Sequence, residues 1–286
     1  IIGDLQNLPT FRGGVALGPM LADKFGIPTF INNDGDLFVY GEAIAGFLPE
    51  INKDLQEAGS PKQFKNLFGI TLGTGFGAGL VVDGMLFLGD NGSGASIWTT
   101  RNKIFPESFA EESVAIRAVR RVYAENAGIP LEEAPEPKII CQIANGKAEG
   151  RVDAAREAWR QLGEAAGESV ADAINLVDAL VVVGGGLSGA YDLFLPAMVE
   201  EMNKPLKKLN GEPLCRMEVK AFDLEDEQQK ERFLKGEAQM VLIPGTFRTI
   251  AYDPLKRTGI GVSRLGTSKA VAIGAYTFAL HELDKR

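Results

Sequence analysis

The stretch that most constrains this chain is GITLGTGFGAGLVVDG, residues 69–84. Glycines at 73, 75 and 77 alternate with Thr74 and Phe76, so backbone here can approach a ligand or turn tightly. Three phosphate-loop templates can be laid on it. A Walker loop needs a Gly-Lys-Ser/Thr run, and no lysine lies between Lys65 and Lys103. The dinucleotide fingerprint fits as a bare pattern, Gly73-x-Gly75-x-x-Ala78, but it must open a helix. Here LVVDGMLFLG follows, and Asp83-Gly84 between apolar runs is the strongest short hairpin signal. The third template is a strand–turn–strand loop whose amides form an anion-binding concavity, with the Thr74 hydroxyl added. The plainer alternative is a hairpin whose glycines serve only the turn.

Composition narrows the partners. A net charge of −8 over 286 residues argues against a nucleic-acid surface, which needs clustered Lys and Arg. No apolar run reaches the ~18 residues of a membrane span. Cys141 and Cys215 are the two cysteines and lie far apart, which excludes a disulfide framework and a zinc knuckle. A cytoplasmic protein is the expectation. The chain opens Ile-Ile-Gly-Asp without a methionine, and an upstream segment is expected.

Along the chain, IPTFIN (27–32) reads as a buried strand and GDLFVYGEAIAGF (35–47) as an apolar-faced helix. Residues 53–66 are a polar joint around Gly59, Ser60 and Pro61. Strands are expected at 67–73, from 77 to the Asp83-Gly84 turn, at 85–89 and at 179–186. Helices are expected at 110–127, 152–176, 191–209 and 266–283, the last with Thr267 or Ser268 as N-cap. Residues 217–265 give no clear period. Strands alternating with helices, plus an antiparallel run, indicate α/β with a mixed sheet.

Two further elements carry chemistry. In FINNDGD, Asp34 stands at a strand end before a helix, where a carboxylate can act as general base while Asn33 orients a hydroxyl. Equally, Asn33, Asp34 or Asp36 can simply cap the helix. In VVVGGGLSG, Gly184, Gly185 and Gly186 join a buried strand to a helix, which suits either a flat ligand or close packing.

In combination, these segments resemble the ROK family of sugar kinases, within the actin/hexokinase/Hsp70-like ATPase superfamily. The likeness runs through NLPTFRGGVALGPMLADKFGIPTFINNDGD, ITLGTGFGAGLVVDG, LVVVGGGLS and LGTSKAVAIGAYTFAL. It implies an α/β, two-lobed ribonuclease-H-like/actin-like ATPase fold with mixed sheets and a cleft between lobes. Residues 1–60 plus 268–286 are expected in the N-terminal lobe, and 66–267 in the C-terminal lobe. The activity implied is ATP-dependent phosphorylation of a hexose hydroxyl, with Mg²⁺ and with Asp34 as base. Asn7, Asn33, Ser96 and Glu111 are implied on the sugar, with Glu112 as near as Glu111. Gly73, Thr74, Gly75 and Gly77 are implied on phosphate, and Gly184, Gly185 and Gly186 beside adenine. A homodimer is also implied.

The chain departs from the family in three places. No Asp-x-Gly-Gly-Thr hairpin precedes Asn33. Ser96 stands where the family has a sugar-binding glutamate, and its sugar-site histidine is absent, since His281 is the one histidine. The family's zinc cluster cannot be assembled from Cys141, Cys215 and His281, so a zinc-free protein is expected. Two alternatives are a non-catalytic sugar-responsive regulator of the same family and an NAD-dependent enzyme, which needs a helix after Gly79 in place of a hairpin.

Overall fold

A computed structural model describes residues 9–285. In chain order the elements begin with α1 (Leu17–Phe25), α2 (Asp34–Ala45), α3 (Phe47–Glu57), β1 (Leu67–Leu72), β2 (Phe76–Val82) and β3 (Met85–Leu86). Next come α4 (Glu111–Val114), α5 (Ile116–Ala127), α6 (Pro137–Ala144), α7 (Val152–Val177), β4 (Leu180–Gly184) and α8 (Tyr191–Asn203). Then follow β5 (Leu206–Lys207), β6 (Pro213–Leu214), β7 (Lys220–Asp223), α9 (Glu227–Lys235), β8 (Gln239–Leu242), β9 (Thr249–Tyr252), β10 (Arg257–Val262) and α10 (Thr267–Asp284).

The main sheet runs β3-β2-β1-β4-β10-β7. The first three strands form an antiparallel meander, and β1, β4, β10 and β7 are mutually parallel. Pairing of Val82 with Met85 leaves Asp83 and Gly84 as a two-residue turn, with φ of 49° and 79° as the primed hairpin turn requires. Strand β4 is buried on both faces, as a central parallel strand should be. Its Leu180 and Val182 pack with Phe38, Phe47 and Ile51 of α2 and α3, while Val181 and Val183 pack with Trp159, Phe194 and Leu195 of α7 and α8. The sheet is therefore covered on both sides.

Helix α2 lies between the sheet and α10. A Cβ on Gly69 of β1 would stand 2.7 Å from Val39 Cβ, and one on Gly79 of β2 would stand 2.6 Å from Val39 Cγ1. On the other side, Gly41 meets the Ala270 backbone and Gly274 meets that of Leu37, leaving no room for a side chain. The end of α2 is fixed by the buried carboxylate of Glu42. It accepts the Phe47 amide at 2.8 Å, the Leu265 amide at 3.1 Å and the Ser263 hydroxyl. Helices α2 and α3 thus pack directly on the sheet built from residues 67–262, and α10 packs on the outer side of α2.

Several sequence expectations change. Residues 27–32 form no strand, and Ile27 and Ile31 are exposed. Among the described residues no strand pairs with them, and a strand exists only through its ladder. The helix expected at 110–127 breaks at Ala115, whose ψ of 172° is extended. Helix α8 stops at Asn203, because Lys204 precedes Pro205 and is held out of the helical region. Helix α10 has no side-chain cap, because Gly266 and not Thr267 or Ser268 holds the N-cap position; the Thr267 hydroxyl instead accepts the Gly185 amide. Helix α6 has no counterpart in the sequence reading, and the stretch 217–265 resolves into β7, α9, β10 and an exposed hairpin, β8–β9.

Because Gly79 faces Val39 and backbone of Gly35 and Asp36, Gly79→Ala is expected to destabilise the fold by about 1–3 kcal/mol, as overpacking does. Gly189, with open space around it, serves as control: Gly189→Ala should stay within about 0.5 kcal/mol of wild type. Urea midpoints of the two variants compare them directly, and equal midpoints would contradict the wedge.

Candidate active site

A cleft of about 570 Å³ opens at the carboxyl ends of β1 and β4. Parallel α/β sheets place their ligands at such edges. Asp34, Thr71, residues 73–77, Trp98, Glu111, Gly185 and Thr267 line it.

Asp34 is the first residue of α2 and borders the cleft. Asn33 is the N-cap: its Oδ1 accepts the Gly35 amide at 2.8 Å. That bond sets the start of α2 and therefore the place of Asp34. Two residues on, Asp36 is buried and 8% exposed. Burial, and secondarily the charge of Asp34, pushes its carboxyl up from 3.8 to about 6.

The glycine turn joins β1 to β2, and the Gly73 amide donates to Gly75 O at 3.1 Å. None of Gly73, Gly75 and Gly77 has a positive φ, so they do not serve an unusual turn conformation. Two of the three instead stand in close approach to neighbouring side chains. A Cβ on Gly75 would lie 2.8 Å from Glu111 Oε2, and one on Gly77 would lie 2.5 Å from Thr71 Oγ1. On Gly73 it would meet only Gly186 N, at 3.9 Å.

Glu111 reaches the cleft, but its carboxylate is engaged with the turn. Oε2 accepts the Phe76 amide at 2.9 Å and Oε1 takes Arg117 Nη2 at 2.9 Å. Glu111 is thus tied to the turn as well as facing the cleft where a sugar contact was expected of it. Glu112 pairs with the same arginine, at 2.8 Å from Nε. Ser96 does not line the cleft; its hydroxyl donates to Ser93 O at 2.9 Å. Trp98, two residues on, does line it, half-exposed and edge-on to Phe109. The triple glycine divides. Gly184 is buried with its Cβ position 2.5 Å from Phe38 Cζ, so it serves packing and not the cleft. Gly185, at φ 89°, faces the cleft, and its amide donates to Thr267 Oγ1 at 2.9 Å. Gly186 is exposed beside it. Asn7 lies outside the described residues.

Sequence reasoning missed Arg117, Trp98 and Thr267. Arg117 sits 43 positions from Thr74, to whose carbonyl it donates at 3.1 Å, and no local pattern encodes that distance. Among the described residues no three His, Cys, Asp or Glu side chains are grouped to hold a metal ion. No described helix is long and apolar enough to cross a membrane.

This architecture, a meander continued by parallel strands with a glycine turn and a helix-start carboxylate at one sheet edge, is that of an actin-like ATPase. The ROK family's sequence pattern matches residues 7–98 and 106–229, and the chain belongs to that family. The crystal structure of a glucokinase from Parabacteroides distasonis superposes with a TM-score of 0.89 at 54% identity, over 98% of this chain and 76% of that one. The glucokinase of Streptomyces coelicolor is 25% identical over 214 residues, which is 67% of this chain and 62% of its own length. The xylose repressor of Caldicellulosiruptor bescii is 26% identical over 216 residues, 70% of this chain and 48% of its own. The chain therefore spans about half to two thirds of the length of these two relatives. The hairpin after Gly79 removes the NAD-dependent alternative, which requires a helix there.

The Asp36 carboxyl yields a pH prediction. Its folded pKa lies above its unfolded value, so the folded state holds the extra proton and stability falls as pH rises from about 4 to about 6. Asp36→Asn removes that penalty. The variant's stability relative to wild type should improve between pH 4 and pH 7, by up to about 3 kcal/mol at roughly 1.4 kcal/mol per pH unit. Denaturant midpoints taken across that range check it, and a difference that stays constant with pH would refute it.

Proposed function

We propose that the protein phosphorylates a hexose hydroxyl from ATP, with Asp34 accepting the hydroxyl proton. The observation that carries this reading is that Asp34 and the glycine turn 73–77 border one cleft, although they arrive from separate elements. The glucokinase from Parabacteroides distasonis, at 54% identity, supports glucose or a related hexose as substrate. Phosphoryl transfer depends chiefly on positioning and on stabilising charge. Amides of the turn suit the phosphates, Gly185 and Gly186 the nucleotide beyond them, and Trp98 gives the cleft an aromatic wall. Asn33 acts by fixing the start of α2, which holds Asp34 at the reacting hydroxyl.

Mg²⁺ is bound in such sites through one or two carboxylates plus substrate phosphates. Asp34 is kept for the proton and Glu111 is engaged by Phe76 and Arg117, so the ion would be held mainly by the nucleotide phosphates and water, where it would neutralise charge on the transferring group. Zinc has no part in this reading, and a cytoplasmic homodimer completes it. The match to a repressor supports a second reading, a sugar-responsive regulator that binds sugar without turnover. The 54% identity to a glucokinase favours the kinase.

Asp34→Asn separates the two. In the kinase it should lower kcat by roughly 10² to 10⁴, the worth of general-base assistance, with sugar affinity changed far less. A kcat within about threefold of wild type would remove Asp34 from the chemistry. A wild-type chain that binds hexose but shows no turnover with Mg-ATP would establish the regulator.

A further inference from the structure

The glycine turn is gripped by its carbonyls from the α4–α5 break. Gly73 O accepts the amide of Ile116 at 2.8 Å, and Thr74 O accepts Arg117 Nη1 at 3.1 Å. A trans peptide carries its carbonyl and the next residue's N–H on opposite edges of one plane. Drawing both carbonyls toward the α4–α5 break therefore turns the amides of Thr74 and Gly75 the other way. Among the described residues neither amide donates to any protein acceptor, and both residues line the cleft. The neighbouring donors are committed, Gly73 N–H to Gly75 O and Phe76 N–H to Glu111. Two adjacent free amides in a fixed concavity are what an anion-binding turn needs.

We infer that Arg117 is a positioning residue for nucleotide: it locks the peptide planes of the turn so that the Thr74 and Gly75 amides are aimed at phosphate before the ligand arrives. The inference rests on the kinase reading above. Arg117 suits the role because its fork bridges three groups at once. It holds Thr74 O with one nitrogen and Glu111 and Glu112 with the others. Glu111 in turn holds Phe76 on the outgoing strand, so one arginine and one glutamate fix both ends of the turn. Two carboxylates offset the guanidinium charge, so Arg117 acts through geometry and not as a cation on the ligand. Arg117 is itself 41% exposed, so its removal opens no cavity in the core.

The test uses calorimetric titration of the full chain with Mg-ADP and, separately, with D-glucose. Arg117→Met should weaken Mg-ADP binding by about tenfold or more, the worth of one charged hydrogen bond, and leave glucose affinity within about twofold. Arg117→Lys keeps a donor for Thr74 O but loses the fork to the glutamates, so it should recover part of the loss. Mg-ADP affinity within about twofold of wild type in both variants overturns the inference. So does an equal loss of both ligands, which would mark a merely structural role. If Arg117→Met does not fold, Arg117→Lys decides alone, by weakened or unchanged Mg-ADP binding at unchanged glucose affinity. A wild-type chain that binds no Mg-ADP overturns the kinase reading itself, and this inference with it.

Discussion

The architecture depends on helix α2 lying in backbone contact with both its neighbours. On the sheet side, Gly69 and Gly79 leave space that Val39 fills; on the other, Gly41 and Gly274 bring α2 and α10 together main chain to main chain. Contacts of that kind have little compliance, because no side chain can rotate to relieve a shift. The position of α2 is therefore set by its whole length and not by its N-terminal turn alone. Glu42 adds a polar fastening near the far end, where a buried carboxylate is tolerable only because several donors surround it. Asp34 inherits its place from this arrangement.

The opposite layer supplies the other half of the cleft. Helices α4 and α5 read as one helix, but the amide of Ile116 is donated to Gly73 across the molecule instead of along the helix axis. The break at Ala115 is the consequence. It brings Glu111 and Arg117 to the turn from either side of the discontinuity, and the two helical layers meet at one sheet edge. Thr267 makes a comparable connection from α10, accepting the amide of Gly185 at the end of β4. A helix start from one layer, a helix break from the other and the strand ends between them together define the cleft.

Much of this could be read locally. The Asp83-Gly84 turn, the meander around it, the buried strand at 180–184 and the helix start at Asn33-Asp34 follow from short-range chemistry, and each is present. Other features were not readable, for different physical reasons. Residues 27–32 have the composition of a strand, but pairing is a property of two segments. Among Gly184, Gly185 and Gly186, only the turn of the backbone tells which packs on Phe38 and which faces the cleft. Ser96 and Trp98 are separated by one residue, yet only the tryptophan reaches the cleft.

The sequence by itself determined the family, the mixed α/β class and the two segments on which the proposed chemistry rests, because these lie in glycine spacing, turn dipeptides and apolar period. Tertiary structure alone decided which groups Glu111 holds. In the sequence it is one of two adjacent glutamates with an implied sugar contact; in the fold its oxygens are taken by Phe76 and Arg117. It alone decided, too, that a side chain at 75 would meet Glu111 and one at 77 would meet Thr71, while neither glycine is called for by the turn's dihedral angles. Both depend on groups distant along the chain being brought within about 3 Å, the range at which a hydrogen bond forms, and one-dimensional spacing carries no record of that distance.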